Sequence, residues 1–238
     1  MPHFDDHSAP ITRRGFLGAS AAGAASLLAA CTTRRTPPAE PPAPPPVEAG
    51  YRAMYGEKFD GGYVIPAVPI EKIDRQFYRQ EVRDPTGEAP GTVVVDTSSH
   101  FLYYVMAGGR AIRYGVGLGR AGFEWSGAAK IQWKQKWPTW TPPEEMIMRK
   151  PELAKYSAAN GGMPPGLDNP LGARAHYIFQ DGVDTLYRVH GSPEWWSIGK
   201  SVSSGCVRLI NQDVIDLYER VKPGSAIVVG AGAGSRFV

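Results

Sequence analysis

Cysteine and histidine are both scarce. Only Cys31 and Cys206 carry thiols among the 238 residues, so one disulfide is the most the chain can form. Beyond residue 31 three histidines remain: His100, His176 and His190. They are scattered, without the spacing of a metal-ligand set, so neither a metal nor another cofactor is expected. No block of Lys or Arg follows the pattern of a phosphate-binding surface. With a net charge of only +3, nucleic acid is not an expected partner. No internal repeat is found, and the length favours one domain with appendages. Glycine (28) and proline (22) are plentiful and point to many turns and at least one irregular stretch.

The first 50 residues read as an address and a tether. Thr12-Arg13-Arg14-Gly15-Phe16-Leu17 is a twin-arginine pattern, and an uncharged Ala-, Gly- and Leu-rich stretch runs on to Ala30. That stretch is too short and too rich in alanine for a good membrane span. Leu28-Ala29-Ala30-Cys31 is similar to a lipobox, which makes Cys31 the expected lipidation site. Residues 1–31 are therefore expected to be a twin-arginine-type signal peptide ending in a lipobox. Export to the periplasm and a lipid anchor in a membrane would follow. Cys206 would then remain as an unpaired thiol in an oxidising compartment. Residues 32–50 contain the proline-rich run 36–46, which cannot pack a core and favours extended polyproline II, as a spacer does.

Residues 51–90 give only weak patterns and form an N-terminal extension of unknown role. From residue 91 the signal is mostly β. Residues 92–96 and 101–106 are rich in β-branched and aromatic residues, and Ala107-Gly108-Gly109 supplies a hairpin turn into residues 111–117. Residues 130–137 alternate polar and apolar side chains with period two. Residues 138–172 carry seven prolines and form a long irregular segment, a functional lid or binding loop, a structural cover, or both together. Residues 173–179 and 185–190 read as strands joined at Asp181-Gly182. Asn211 has the chemistry of an N-cap, and Val214, Leu217, Tyr218 and Val221 recur at helical spacing until Pro223-Gly224. A last strand spans residues 226–229. The fold class is therefore mainly β, with one clear C-terminal helix and a long Pro-rich loop.

Two short stretches carry chemistry: Val189-His190-Gly191-Ser192 and Ser203-Ser204-Gly205-Cys206-Val207-Arg208. A free thiol ionises near about pH 8.5, so a histidine within reach can activate it by taking its proton. Gly205 would let backbone N–H groups approach a developing oxyanion. On spacing alone, however, an inert core cysteine and a structural histidine remain the default.

The wider pattern alters that balance. Asn169-Pro170-Leu171-Gly172-Ala173-Arg174-Ala175, Tyr187-Arg188-Val189-His190-Gly191, the spacer Trp195-Trp196-Ser197-Ile198-Gly199 and Ser203-Ser204-Gly205-Cys206-Val207-Arg208-Leu209 agree in order and spacing with one family. Trp137-Pro138-Thr139-Trp140-Thr141-Pro142-Pro143 also resembles a segment of many of its members. Residues 91–230 thus closely resemble the L,D-transpeptidase catalytic domain family (YkuD-type). The family often has His directly before Gly-Cys, and here that position is Ser204.

The resemblance implies an L,D-transpeptidase-like β-sandwich or barrel acting on peptidoglycan stem peptides. It implies Cys206 as nucleophile, His190 as base, and the Gly191 carbonyl as the group that orients the imidazole. Ser203, Ser204 and Gly205 would serve substrate binding and the oxyanion, and Arg208 would bind a stem-peptide carboxylate, with a structural ion pair as its alternative. The acceptor would be an amine of a second stem peptide or of a wall-attached protein. Water in its place would make a carboxypeptidase. A non-catalytic wall-binding lipoprotein is the third reading.

Overall fold

The computed structural model describes residues 48–119, 125–203 and 205–232. Residues 1–47, which hold the expected signal peptide, Cys31 and most of the expected tether, lie outside the described residues, as do Ser204 and the side chain of Ser203. Thirteen strands are described: β1 (Lys58–Asp60), β2 (Tyr63–Ile65), β3 (Gln80–Arg83), β4 (Val93–Asp96), β5 (Phe101–Met106), β6 (Arg110–Gly115), β7 (Leu118–Gly119), β8 (Gly127–Lys136), β9 (Arg174–Gln180), β10 (Val183–Ser192), β11 (Ser201–Ser203), β12 (Val207–Ile210) and β13 (Ser225–Gly230). The helices among the described residues are α1 (Ala49–Met54), α2 (Glu144–Arg149) and α3 (Asn211–Arg220).

Nine strands form one sheet in the order β12-β10-β9-β8-β13-β4-β5-β6-β3. The β5–β6 hairpin turns on Gly108 (φ 76°) and Gly109 (φ 67°), the paired positive φ values that a tight turn between right-twisted strands requires. Both halves of the sheet feed one core. Val93, Val95, Leu102 and Tyr114 from β4–β6 share it with Ile178, Val189, Val207 and Leu209 from β9, β10 and β12. The sheet therefore folds over onto itself as a sandwich. Beyond β6 and within β12, Gly117 and Arg208 exchange backbone hydrogen bonds of 2.9 and 2.8 Å, stitching the two halves together beside the Cys206 turn.

Helix α3 forms where the 3.6-residue spacing predicts it, and it buries Val214 and Leu217 in the same core. Asn211 does not cap it. Ile210 occupies the cap position, and the Asn211 side-chain oxygen instead accepts from the Ala173 N–H at 2.9 Å. A buried donor from β9's entry has captured the side chain, because leaving that N–H unpaired costs more than leaving the helix start uncapped. The segment 138–172 is closed on itself. The Asn169 amide reaches the carbonyls of Pro138, Met163 and Pro164, and Trp140 pairs with Met163.

The extension 51–90 is an integral part of the fold. Tyr55, Ile70, Ile73 and Tyr78 build a second core with Ile198 and Ile210. Strand β3 pairs with β6 and forms the sheet's last strand. The Tyr55 hydroxyl donates to Asp213 at 3.1 Å, and burial pushes that fully buried carboxyl up to about 7. The β1–β2 hairpin is anchored by Asp60, which binds both terminal nitrogens of the buried Arg174 at 2.7 and 2.8 Å and accepts from the Trp137 indole at 2.8 Å.

Truncating Asp60 leaves the Arg174 charge buried and unpaired, so Asp60→Ala should destabilise the chain by about 3–5 kcal/mol in denaturant titration. The Arg174 hydrogen bonds hold the Asp60 carboxyl below its usual range. Its contribution is then present above the unfolded carboxylate pKa of about 3.9 and is lost as pH falls through the lower folded value. In Asp60→Asn that part of the acid dependence should vanish from the pH–stability curve.

Candidate active site

Strands β10 and β12 run parallel, with Val189 opposite Val207, His190 opposite Arg208 and Gly191 opposite Leu209. Val189, Val207 and Leu209 point into the core. Alternation therefore places His190 and Arg208 on the opposite face, and Cys206, one residue before Val207, on that same face. Neighbouring strands lie about 4.8 Å apart, so the pairing brings a thiol and an imidazole sixteen residues apart in the chain into one neighbourhood. Cys206 is a free, half-buried cysteine. The buried Gly205 before it has φ 106°, a conformation in which a side chain would be strained.

His190 is buried, and its Nδ1 lies 2.6 Å from the Gly191 carbonyl oxygen. A carbonyl only accepts, so Nδ1 carries the proton and Nε2 keeps its lone pair. Burial lowers the imidazole pKa to about 4; the Gly191 bond opposes this, and the charges of Arg208 and Arg188 reinforce it. Burial pushes the Cys206 thiol up, while the Arg188 backbone N–H and the Arg188 and Arg208 charges pull it back. At neutral pH the resting pair is therefore a neutral thiol beside a neutral imidazole. Gly191 has little freedom: a Cβ there would meet the Asn211 oxygen at 2.4 Å and Val214 at 2.8 Å. Asn211 thus packs against the end of β10, whose Gly191 carbonyl accepts from His190 Nδ1.

Arg208 is ion-paired with Glu194, whose carboxylate is half-exposed, and its Nε is buried with no hydrogen-bond partner. The backbone of Ser203 ends β11, opposite Gly119 of β7. The remaining histidines stand apart from the pair. His176 is fully buried, bonds the Val189 carbonyl through Nδ1 at 3.2 Å and packs near Tyr218 of α3. Its register partner is Val189, so it faces the core and not the His190 side. His100 is partly buried, with Nε2 3.0 Å from the Ser201 hydroxyl.

Sequence reasoning passed over Arg188. The pairing that joins Val189 to Val207 sets Arg188 beside Cys206, and a strand residue two before a candidate base carries no signal of its own. It also passed over Glu194, whose contact with Arg208 spans fourteen residues.

The family described as YkuD, L,D-transpeptidase catalytic domain, matches residues 90–229. The chain is 35% identical over 144 residues to the probable L,D-transpeptidase YbiS of Escherichia coli K12, a match covering 57% of this chain and 43% of YbiS. It is 32% identical over 142 residues to the probable L,D-transpeptidase ErfK/SrfK of the same strain, covering 58% and 43%. The chain thus spans less than half the length of these curated relatives. A crystal structure from Brucella melitensis, described as a probable carnitine operon oxidoreductase caia, is 45% identical and covers 66% of this chain and 96% of its own, with a TM-score of 0.46.

A resting neutral pair has a measurable signature. In Cys31→Ser, where Cys206 is the only thiol, iodoacetamide alkylation should climb through one thiol titration lying above the ordinary cysteine range. A reactivity plateau reaching down into mildly acidic pH would mean a preformed thiolate–imidazolium pair and contradict this picture.

Proposed function

The chain belongs to the L,D-transpeptidase catalytic domain family, and on that premise we propose that it is a peptidoglycan L,D-transpeptidase with Cys206 as nucleophile and His190 as base. The observation that carries this reading is the shared sheet face of Cys206 and His190, with the Nδ1–H of His190 tied to Gly191. That tautomer leaves Nε2 as the only ring atom able to take a proton.

In this reaction the Cys206 sulfur attacks the carbonyl that follows the L-centre of the third, diamino residue of a stem tetrapeptide. The thiol proton passes to His190 Nε2 as the C–S bond forms. Backbone N–H groups around Gly205 and Cys206 receive the oxyanion, assisted by Ser203 and Ser204. When the tetrahedral intermediate collapses, His190 returns the proton to the departing D-alanine amine, and a thioester remains. An acceptor amine then attacks the thioester and gives its proton to His190. The sulfur leaves, and the proton restores the thiol. Arg208 serves a stem-peptide carboxylate if Glu194 is displaced, since Glu194 now holds one of its terminal nitrogens.

Export by the twin-arginine-type signal and acylation of Cys31 complete the proposal. They would hold the domain at a membrane facing the periplasm, with residues 32–50 as spacer.

Residues 47–238, incubated with a disaccharide-tetrapeptide, should yield cross-linked dimers with loss of D-alanine by mass spectrometry. Cys206→Ala should abolish the product, and His190→Ala should lower the rate at least about 100-fold, as removal of a general base does. Tripeptide without dimers would reassign the enzyme as an L,D-carboxypeptidase. No product from several stem-peptide donors would favour a wall-binding lipoprotein with an inert cysteine.

A further inference from the structure

The sheet face that carries Cys206 and His190 also carries a cross-strand row. Trp133 on β8 is opposite Tyr177 on β9, and Tyr177 is opposite Arg188 on β10. One step further, the β10–β12 pairing brings Arg188 beside Cys206. The row is rigid. The Trp133 and Tyr177 rings stack at 3.5 Å and 9°, and the Arg188 guanidinium lies 4.4 Å from the Tyr177 centroid. Asp184 grips both terminal nitrogens of Arg188, at 2.6 and 2.7 Å, and the Tyr187 carbonyl accepts a third bond at 2.9 Å.

The Asp184–Arg188 contact is not one that a regular strand makes. Residues four apart on a strand lie about 13 Å from each other. Here the β9–β10 register shifts between Asp184 and Arg188, and Leu186 takes φ 61° with its side chain 76% exposed. Such a conformation in a non-glycine residue is costly and persists only where the surroundings enforce it. The Asp184 carboxylate enforces it in part, accepting the Leu186 N–H at 2.9 Å. The strand is thus bent out of regularity at the place where the bend lets an aspartate seize the arginine next to the thiol.

We propose that Arg188 is a positioning residue for the Cys206 sulfur: the Asp184 fork and the Tyr177–Trp133 stack fix its side chain on the sheet face it shares with Cys206, at the neighbouring register position. The assignment rests on Cys206 being the nucleophile. With both terminal nitrogens engaged, Arg188 has no free fork for a substrate carboxylate, so its action is on the sulfur. Burial of the thiol works against ionisation, and the N–H and guanidinium of Arg188 head the influences that oppose it, with Arg208 behind them. A fixed guanidinium of this kind does what a mobile one cannot, because it needs no reorganisation as the charge appears.

The test uses the full chain carrying Cys31→Ser, with alkylation of Cys206 by iodoacetamide followed across the thiol titration range. Arg188→Gln should move the profile to higher pH and slow alkylation at neutral pH roughly five-fold, less than the ten-fold that one whole pKa unit carries. Arg188→Lys, which keeps the charge without the fork, should fall between Gln and wild type. If Arg188→Gln does not fold, Arg188→Lys decides the matter by its own profile, which should lie at higher pH than that of the wild type. In cross-linking assays Arg188→Gln should lower kcat with KM unchanged. A folded Arg188→Gln or Arg188→Lys with an unmoved profile, or a change confined to KM, would each overturn the proposal. A wild-type chain that alkylates as expected but forms no product would instead defeat the transpeptidase reading.

Discussion

The parallel pairing of Val189 with Val207 is the constraint on which the rest of the site depends. Three apolar side chains, Val189, Val207 and Leu209, are locked into the core, and their burial fixes the register. A slip of one residue would turn His190 into the core and Val189 outward. The apolar core thus positions the chemical groups without touching them. The two Gly117–Arg208 backbone bonds resist the same slip from the other side of β12.

Within that frame the Cys206 thiol and the His190 imidazole are both pushed toward their neutral forms. Burial depresses the imidazole and raises the thiol, so each disfavours its charged form. In the proposed reaction the imidazole takes up the thiol proton only as the sulfur attacks the carbonyl. A protonated thiol is also a poor target for oxidants, since susceptibility follows thiolate character. Arg188 and Arg208 temper this restraint without reversing it, and their counter-ions, Asp184 and Glu194, differ in exposure and in grip.

What could be read from the chain followed from local rules. The β-branched runs, the Gly108-Gly109 turn and the helical spacing of Val214 and Leu217 are short-range patterns, and strands β4 to β6 and α3 form where those patterns lie. Contacts spanning much of the chain left no such mark. Asp60 meets Arg174 across 114 residues and Tyr55 meets Asp213 across 158, so the three-residue strands of the extension carry no period of their own. Asn211 had the composition of a cap, but a tertiary donor outbid the helix for it. His176 and His190 look alike as strand histidines, and only the parity of the sheet separates a core residue from one on the Cys206 face. Arg188 depends on an irregularity at Leu186 that no alternation rule contains.

The second core has a consequence for where this domain ends. The family match begins at residue 90, yet the segment before it covers Ile198 and Ile210, supplies the counter-ion of Arg174 and pairs the outer edge of β6 through β3. A chain trimmed to the matched region would bare an unpaired strand edge, an apolar patch beside the end of β10, and a buried guanidinium with no counter-ion. Bare edges and patches of that kind invite self-association. The unit that folds is therefore larger than the matched region, and the extra piece is a built-in cover for the end of the sheet that carries Ile210.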